Sequence, residues 1–199
     1  MARLKAAERR EQLMDVATKL FAQHGYDATT TAAIAHAAGV TEPILYRHFR
    51  GKQEMFVAIV ECVSQKTVQH WKAIIEDVAD PVEQLRRIAQ EFHAHVTASA
   101  DAYHVIHGAL ANSQDKKVLQ VVRDHYAAMA EFFATILTAG QQAGFIRQDL
   151  DPHVPAWQLI SAGIGHAMIA LNLPTLYEDI NPTEMIELSL RSLRNEQHV

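Results

Sequence analysis

The segment from Thr29 to Lys52 carries side chains that can donate hydrogen bonds to nucleic acids. Tyr46, Arg47 and His48 follow one another, and Lys52 comes shortly after them. Aromatic and forked donors at this spacing suit phosphate oxygens and base edges, whereas an ordinary surface helix would carry Lys and Glu. The chemistry that these residues indicate is recognition of nucleic acid.

Two short helices joined by a Gly turn are predicted to position these side chains. Thr30 or Thr31 can cap the first helix, because a side-chain hydroxyl accepts one of the backbone N–H groups left over at a helix start. Gly39 stands at the turn, where a positive φ is often needed. Leu45 and Phe49 then form a buried stripe on the second helix. From spacing alone, an ordinary helical hairpin explains the segment as well as a DNA-reading one does.

The distribution of charge favours the DNA-reading interpretation. Residues 1–52 contain eight Lys/Arg and five Asp/Glu, and the remainder contains ten and eighteen. A chain of net charge −5 therefore concentrates its positive charge in its first quarter. This asymmetry is typical of a DNA-binding head on a body that does not bind DNA.

Residues 9 to 56 resemble the N-terminal domain of the TetR family of bacterial transcriptional regulators. The resemblance is carried, in order, by Phe21, Gly25-Tyr26, Thr30-Thr31, Ile34-Ala35, Ala38-Gly39-Val40, Leu45-Tyr46-Arg47-His48-Phe49 and Lys52. It implies a helix-turn-helix DNA-binding domain at 1–52 and a helical ligand-binding and dimerisation domain at 53–199. It also implies a repressor that is released from a palindromic operator in double-stranded DNA when a small-molecule effector binds.

The resemblance further implies which side chains meet DNA. Contacts to the phosphate backbone are expected from Thr30, Thr31, Tyr46, His48 and Lys52. Base reading is expected from Glu42, Pro43, Ile44 and Arg47. One departure is Ala32, which stands where some members carry a guanine-reading Arg. The second is Glu42, whose carboxylate can accept from a cytosine amino group or stabilise the helix N-terminus through the dipole; we favour the dipole.

Beyond Lys52 the sequence predicts helices throughout. The expected fold class is all-α, with an N-terminal three-helix bundle containing the helix-turn-helix and a C-terminal helical domain. The predicted helices are 53–77, 81–98, 102–112, 116–140, 152–171 and 182–195. Asp80-Pro81 and Asp151-Pro152 each place a capping side chain before a Pro in the first helical turn.

Two of these helices indicate a homodimer. Gly163 and Gly165 lie within one predicted helix and suggest either close helix packing or a neighbouring cavity, because Gly weakens a helix. The predicted interface residues are Trp157, Ile160, Ile164, Met168, Ile186, Leu190 and Leu193. A dimer is also expected because one recognition helix reads too few bases, whereas two heads about 34 Å apart read a palindrome.

Aromatic, Met and His side chains of the C-terminal domain are candidates for an effector pocket. They are Phe92, His95, Tyr103, His107, Tyr126, Met129, Phe133, Trp157 and His166. Any one of them is more often an ordinary core residue. Together they predict a medium-sized, partly apolar ligand with one polar handle.

The remaining composition bears on other classes of function. The chain has one cysteine, Cys62, and no HExxH motif among its twelve His, so neither a disulfide framework nor a metal is expected. No cofactor is predicted. Without an apolar N-terminal run or a stretch of about 20 apolar residues, we expect a cytoplasmic protein with no membrane partner. The alternatives are a ligand-independent or activating regulator and, less favoured, an all-α enzyme, for which no catalytic motif appears.

Overall fold

The computed structural model describes residues 5–177 and 182–194 and contains nine α-helices within them. They are α1 (Ala6–His24), α2 (Thr31–Ala37), α3 (Glu42–Tyr46), α4 (Lys52–Ile74), α5 (Pro81–Ala98), α6 (Ala100–Asn112), α7 (Lys116–Gln142), α8 (His153–Asn172) and α9 (Pro182–Arg191). These ranges hold no β-strand, although Ile146 and Arg194 form an isolated antiparallel bridge. The all-α prediction is confirmed.

The chain divides into two compact units, and each is discontinuous in sequence. The first comprises Met1–Ser64 and Asp101–His125, and the second comprises Gln65–Ala100 and Tyr126–Val199. Helices α4 and α7 therefore contribute residues to both units. This division differs from the predicted boundary after Lys52, because the first turns of α4 belong to the core of the first unit. Met55 and Phe56 of α4 are fully buried.

The first unit is held together by an aromatic cluster. Phe21 of α1 and Phe56 of α4 meet edge to face, with ring centroids 5.7 Å apart. Tyr26 completes the cluster at 5.1 Å from Phe56 and 5.7 Å from Phe21. Gly25 ends α1 with φ of 80° and turns the chain towards α2. Burial of each ring contributes about 1.5–3 kcal/mol, so this cluster fixes α1 against α4.

The α2–α3 hairpin follows the predicted turn chemistry. The Thr30 hydroxyl accepts from the backbone N of Ala33 at 3.1 Å, which confirms Thr30 as the cap of α2. Gly39 has φ of 66°, the left-handed conformation that the turn requires. Helix α3 is shorter than predicted and ends at Tyr46. The N–H groups of His48 and Phe49 still donate to the Leu45 carbonyl, so the backbone continues one more turn.

In the second unit, α5 packs against both α8 and α9. Asp80 caps α5 as predicted, because its carboxylate accepts from the backbone N of Val82 at 2.8 Å. At Gly163 of α8 an added Cβ would lie 3.3 Å from Cζ of Phe92, whereas at Gly165 nothing lies within 4 Å. Close packing rather than a cavity therefore accounts for Gly163.

Helix α8 departs from one expectation. Within the part of the chain that the structure describes, it is long and apolar enough to cross a membrane, judged by length and composition alone. This contradicts the expectation that the chain holds no stretch of about 20 apolar residues. Residues 153–172 contain no Asp, Glu, Lys or Arg. Many of them are the small residues Ala and Gly, so the segment does not stand out as a run of large apolar side chains. Much of this helix is left exposed in the protomer.

Candidate nucleic-acid interface

Three polar side chains meet where α2 and α3 come together. The Thr31 hydroxyl donates to Oε2 of Glu42 at 3.1 Å. Thr31 Oγ1 and the Tyr46 hydroxyl lie 3.1 Å apart. Thr31 has one hydroxyl hydrogen and gives it to Glu42, so Tyr46 is the donor in the second bond. The two hydroxyls predicted to contact phosphate are thus joined to a carboxylate.

Glu42 lies where its charge can stabilise the start of α3 through the helix dipole, and its carboxylate also accepts a hydrogen bond from Thr31. It lies in the first turn of α3, where negative charge is favoured. The hydroxyl of Thr41, the residue that caps α3, makes no capping bond. The bond from Thr31 was not anticipated from sequence, because it depends on how α2 packs against α3.

Lys52 is held by the turn between α1 and α2. Its ammonium nitrogen lies 2.9 Å from the carbonyl oxygen of Tyr26, 3.0 Å from that of Asp27 and 3.3 Å from that of Thr29. It also lies 4.5 Å from the centroid of the Tyr26 ring. The three N–H groups of the ammonium therefore each have an acceptor within the protein. A phosphate contact by Lys52 would require it to share or release these carbonyls.

The other predicted contact residues are all at least partly accessible to solvent. Pro43 and Arg47 are exposed, and Ile44 and His48 are half-buried. Thr30 is exposed, and accepting the capping bond leaves its hydroxyl able to donate. The accessible face of α3 and of the turn after it thus presents both kinds of predicted contact.

Asp115, which is not among the predicted site residues, also belongs to the first unit. Its Oδ2 accepts from Nε2 of Gln53 at 2.7 Å and from the Tyr26 hydroxyl at 3.3 Å. Burial, followed by the charge of Asp115, raises the pKa of Tyr26 to about 12. The bond from Gln53 and those from the backbone of Lys117 and Val118 lower the pKa of Asp115, so it is ionised at neutral pH. A sequence signal existed, because Asp115 precedes a predicted helix start.

The candidate pocket residues are divided between the two units. Tyr103 and His107 lie in the first, and the other seven lie in the second. In the second unit, Tyr126, Met129 and Phe133 are buried. Since they form part of the core of that unit, the lining of a pocket stays a prediction.

Four histidines of the second unit form two pairs. His93 Nδ1 and His166 Nε2 lie 3.1 Å apart, and the rings of His70 and His95 stack with centroids 4.9 Å apart. Burial and the neighbouring imidazole lower the pKa of both His95 and His166, so both are neutral at pH 7. Over the described residues, no group of three or more His, Cys, Asp or Glu is placed to hold a metal ion.

Three of the predicted interface residues need correction. Ile160, Leu190 and Leu193 are 5%, 2% and 4% exposed, so they belong to the core of their own protomer. Trp157 and Met168 are 46% and 50% exposed. Ile164 and Ile186 are half-buried. The exposed apolar side chains of α8 and α9 also include Met185, together with Val154 and Leu188, which were not predicted.

Comparison with known proteins relates this arrangement to a family of regulators. Residues 13–59 match the profile of bacterial regulatory proteins of the tetR family. The HTH-type transcriptional repressor KstR2 of Rhodococcus jostii is 30% identical over 150 residues, which cover 72% of this chain and 70% of the repressor.

Two solved structures share the fold. The SmeT–triclosan complex matches with a TM-score of 0.79 at 23% identity, over 95% of this chain and 93% of the other. SmeT is the repressor of the Stenotrophomonas maltophilia multidrug efflux pump SmeDEF. FadR from Bacillus subtilis, in complex with stearoyl-CoA, matches with a TM-score of 0.71 at 17% identity, over 91% and 95% of the two chains.

Proposed function

Because the chain belongs to the TetR family of bacterial transcriptional regulators, we propose that it represses transcription from a palindromic operator, to which it binds as a homodimer. A small, partly apolar ligand bound by the C-terminal domain releases it. The observation that carries the DNA-binding part is the exposed face of α3. There the Tyr46 hydroxyl lies 3.1 Å from that of Thr31, and the exposed Arg47 directly follows the helix. The relatives named above are regulators, and an enzymatic function is set aside.

The homodimer is proposed on the exposed apolar stripe of α8. Trp157, Ile164 and Met168 recur at helical spacing along one face, and the first and last are about half exposed. Exposed side chains of α9, Met185 and Leu188, add to the apolar surface of this unit. Exposed apolar side chains that line one face of a helix are typical of a protein–protein interface. This role also gives the apolar α8 a purpose in a cytoplasmic protein without a membrane partner.

The proposed effector is partly apolar. Triclosan and stearoyl-CoA, found in the complexes of two proteins of the same fold, both have a large apolar part. In the second unit, Phe92 lies 5.8 Å from His166 between ring centroids. A neutral imidazole beside an aromatic ring suits an apolar ligand with one hydrogen-bonding group. A ligand-independent regulator or an activator remains the alternative, and binding screens with such compounds distinguish them.

Release from DNA requires that the effector bind one conformation more tightly than the other. Helices α4 and α7 run from residues of one unit into residues of the other. We therefore propose that the effector changes the position of the helix-turn-helix in each subunit through these two helices. The same coupling requires operator DNA to weaken effector binding by the same factor.

Replacing Arg47 by Ala tests the base-reading assignment. The variant is expected to lose discrimination at one base pair of each half-site, worth about 1–3 kcal/mol, because a bidentate contact to guanine is lost. Duplexes selected from a random pool by each protein would show it. Arg50→Ala is the matched control, since Arg50 is exposed nearby but is not a predicted base reader. Unchanged preference for Arg47→Ala, or an equal change for Arg50→Ala, contradicts the assignment.

Glu42→Gln is expected to strengthen binding to all DNA sequences alike, by about fivefold. The physical reason is that a phosphate must approach the hydroxyls of Thr31 and Tyr46, and the carboxylate of Glu42 already accepts the hydrogen bond of Thr31, which in turn is bonded to Tyr46. Two like unit charges about 4 Å apart repel by about 1 kcal/mol in water. Titration with a selected and an unrelated duplex measures this. Glu11→Gln, an exposed acid of α1, is the control. A change at one base pair alone would instead support cytosine reading.

A further inference from the structure

The carboxylate of Asp115 is shared between a helix cap and two residues of the DNA-reading head. Oδ1 accepts from the backbone N of Lys117 at 2.9 Å and of Val118 at 3.3 Å, which caps α7. Oδ2 accepts from Gln53 and Tyr26. A cap needs one oxygen, and Ser, Thr or Asn serves as well as Asp. The second oxygen is therefore available for a separate task.

The two residues held by Oδ2 lie on either side of the helix-turn-helix in the sequence. Gln53 is in the first turn of α4, next to Lys52. Tyr26 lies in the turn that leads to α2, and its ring and carbonyl are both engaged by the Lys52 ammonium. Movement of the start of α7 would thus pull directly on the turn before α2 and on the start of α4.

We propose that Asp115 is a positioning residue for DNA recognition. By holding Tyr26 and Gln53, it fixes the turn before α2 and the start of α4 to the N-terminus of α7. The three segments then move as one body, and α7 becomes a path by which the head is aligned. This inference rests on the proposed DNA-binding function.

Loss of the Asp115 carboxylate should change DNA binding in opposite directions, depending on whether its charge or its positioning bonds matter more. Removal of a negative charge from a DNA-binding unit should strengthen DNA binding. Loss of a positioning bond should weaken it. Asp115→Ser separates the two, because Ser keeps the cap on α7 but is too short to replace Oδ2.

The experiment measures DNA binding and unfolding of the full-length chain. The probe is a duplex that the wild-type protein selects from a random pool. Asp115→Ser is expected to weaken binding by roughly three- to tenfold, the effect of losing hydrogen bonds to a charged group. Asp124→Ser is the matched control. Asp124 is exposed on α7 of the same unit and accepts from Gln120 of the same helix. It should not weaken binding.

A reversal of hydrogen-bond polarity gives a second, independent test. Gln53→Glu sets two carboxylates against each other and should weaken binding. Adding Asp115→Asn to it should restore binding, because the Asn amide donates to Glu where Gln donated to Asp. Chemical denaturation of each variant verifies that the protein is folded under the binding conditions.

The outcomes separate the two proposals. If the wild-type protein selects no duplex, the DNA-binding function itself fails. If the wild type binds but Asp115→Ser binds equally well or more tightly, the positioning role is overturned. It is also overturned if Asp115→Asn leaves the defect of Gln53→Glu unrepaired. Weaker binding by Asp115→Ser, with repair in the double variant, establishes it.

Discussion

Replacing Met168 by Glu is expected to give a monomer in solution and to weaken operator binding by roughly a hundredfold or more. Met168 is half exposed on the apolar stripe of α8 that we propose as the dimer interface. A carboxylate placed in an apolar interface without a partner loses its hydration and opposes association. Each monomer then binds one half-site by itself, and the affinity gained from two linked heads disappears. Sedimentation and duplex titration measure the two effects.

Gln158→Glu is the matched control for this prediction. Gln158 is exposed on the same helix, about 100° round it from Trp157 and outside the stripe. It adds the same charge and should leave the dimer intact. A wild-type protein with the sedimentation mass of one subunit at micromolar concentration would refute the dimer. A Met168→Glu protein that stays dimeric would refute this choice of surface.

Replacing Lys52 by Ala is expected to reduce both stability and DNA binding. Three carbonyls of the turn between α1 and α2 lose their shared donor. The expected cost is about 1–3 kcal/mol in the free energy of unfolding, as for other hydrogen bonds to charged groups. DNA binding should weaken for all sequences alike, because the turn positions α2 rather than reading bases. Chemical denaturation and titration with selected and unrelated duplexes test both parts.

The salt dependence of binding distinguishes the two roles of Lys52. If the ammonium neutralises a phosphate in the complex, its loss lowers the slope of log K against log salt by about 0.9. If Lys52 acts through the turn, the slope stays the same while affinity falls. Lys19→Ala, at an exposed position of α1, is the control for charge. Unchanged stability and unchanged affinity in Lys52→Ala would contradict both roles.

The helices and their starts were predictable because their signals are local. Helix α5 begins at Pro81 and ends at Ala98, as predicted, since Asp80 and Pro81 define its start within two residues. The cap at Thr30 and the positive φ of Gly39 follow from side-chain chemistry in the same way. The family resemblance rests on this same local pattern.

The partners of individual side chains were not predictable, because they depend on packing between distant segments. Nothing near Lys52 in the sequence indicates that its ammonium binds the carbonyls of Tyr26 and Asp27. The division of Asp115 between a cap and Gln53 is likewise set by tertiary structure.

The interface prediction failed in part for a related reason. Helix α8 is apolar around much of its circumference, so residue type does not separate the buried Ile160 from the exposed Met168. That distinction depends on which segments pack against α8, and α5 is one of them. Where hydrophobicity has no clear periodicity, sequence identifies a helix but not the face it buries.

The discontinuity of the first unit has a consequence for synthesis of the protein. The helix-turn-helix is complete once Lys52 has been translated, but the unit that contains it also needs Asp101–His125. During translation, the helix-turn-helix therefore cannot form its contacts with Asp101–His125 until the intervening segment and the start of α7 have been made. Folding of this unit should lag behind its own N-terminal sequence on the ribosome. A nascent chain stopped before Asp101 should be more readily cleaved by protease than one extended beyond His125.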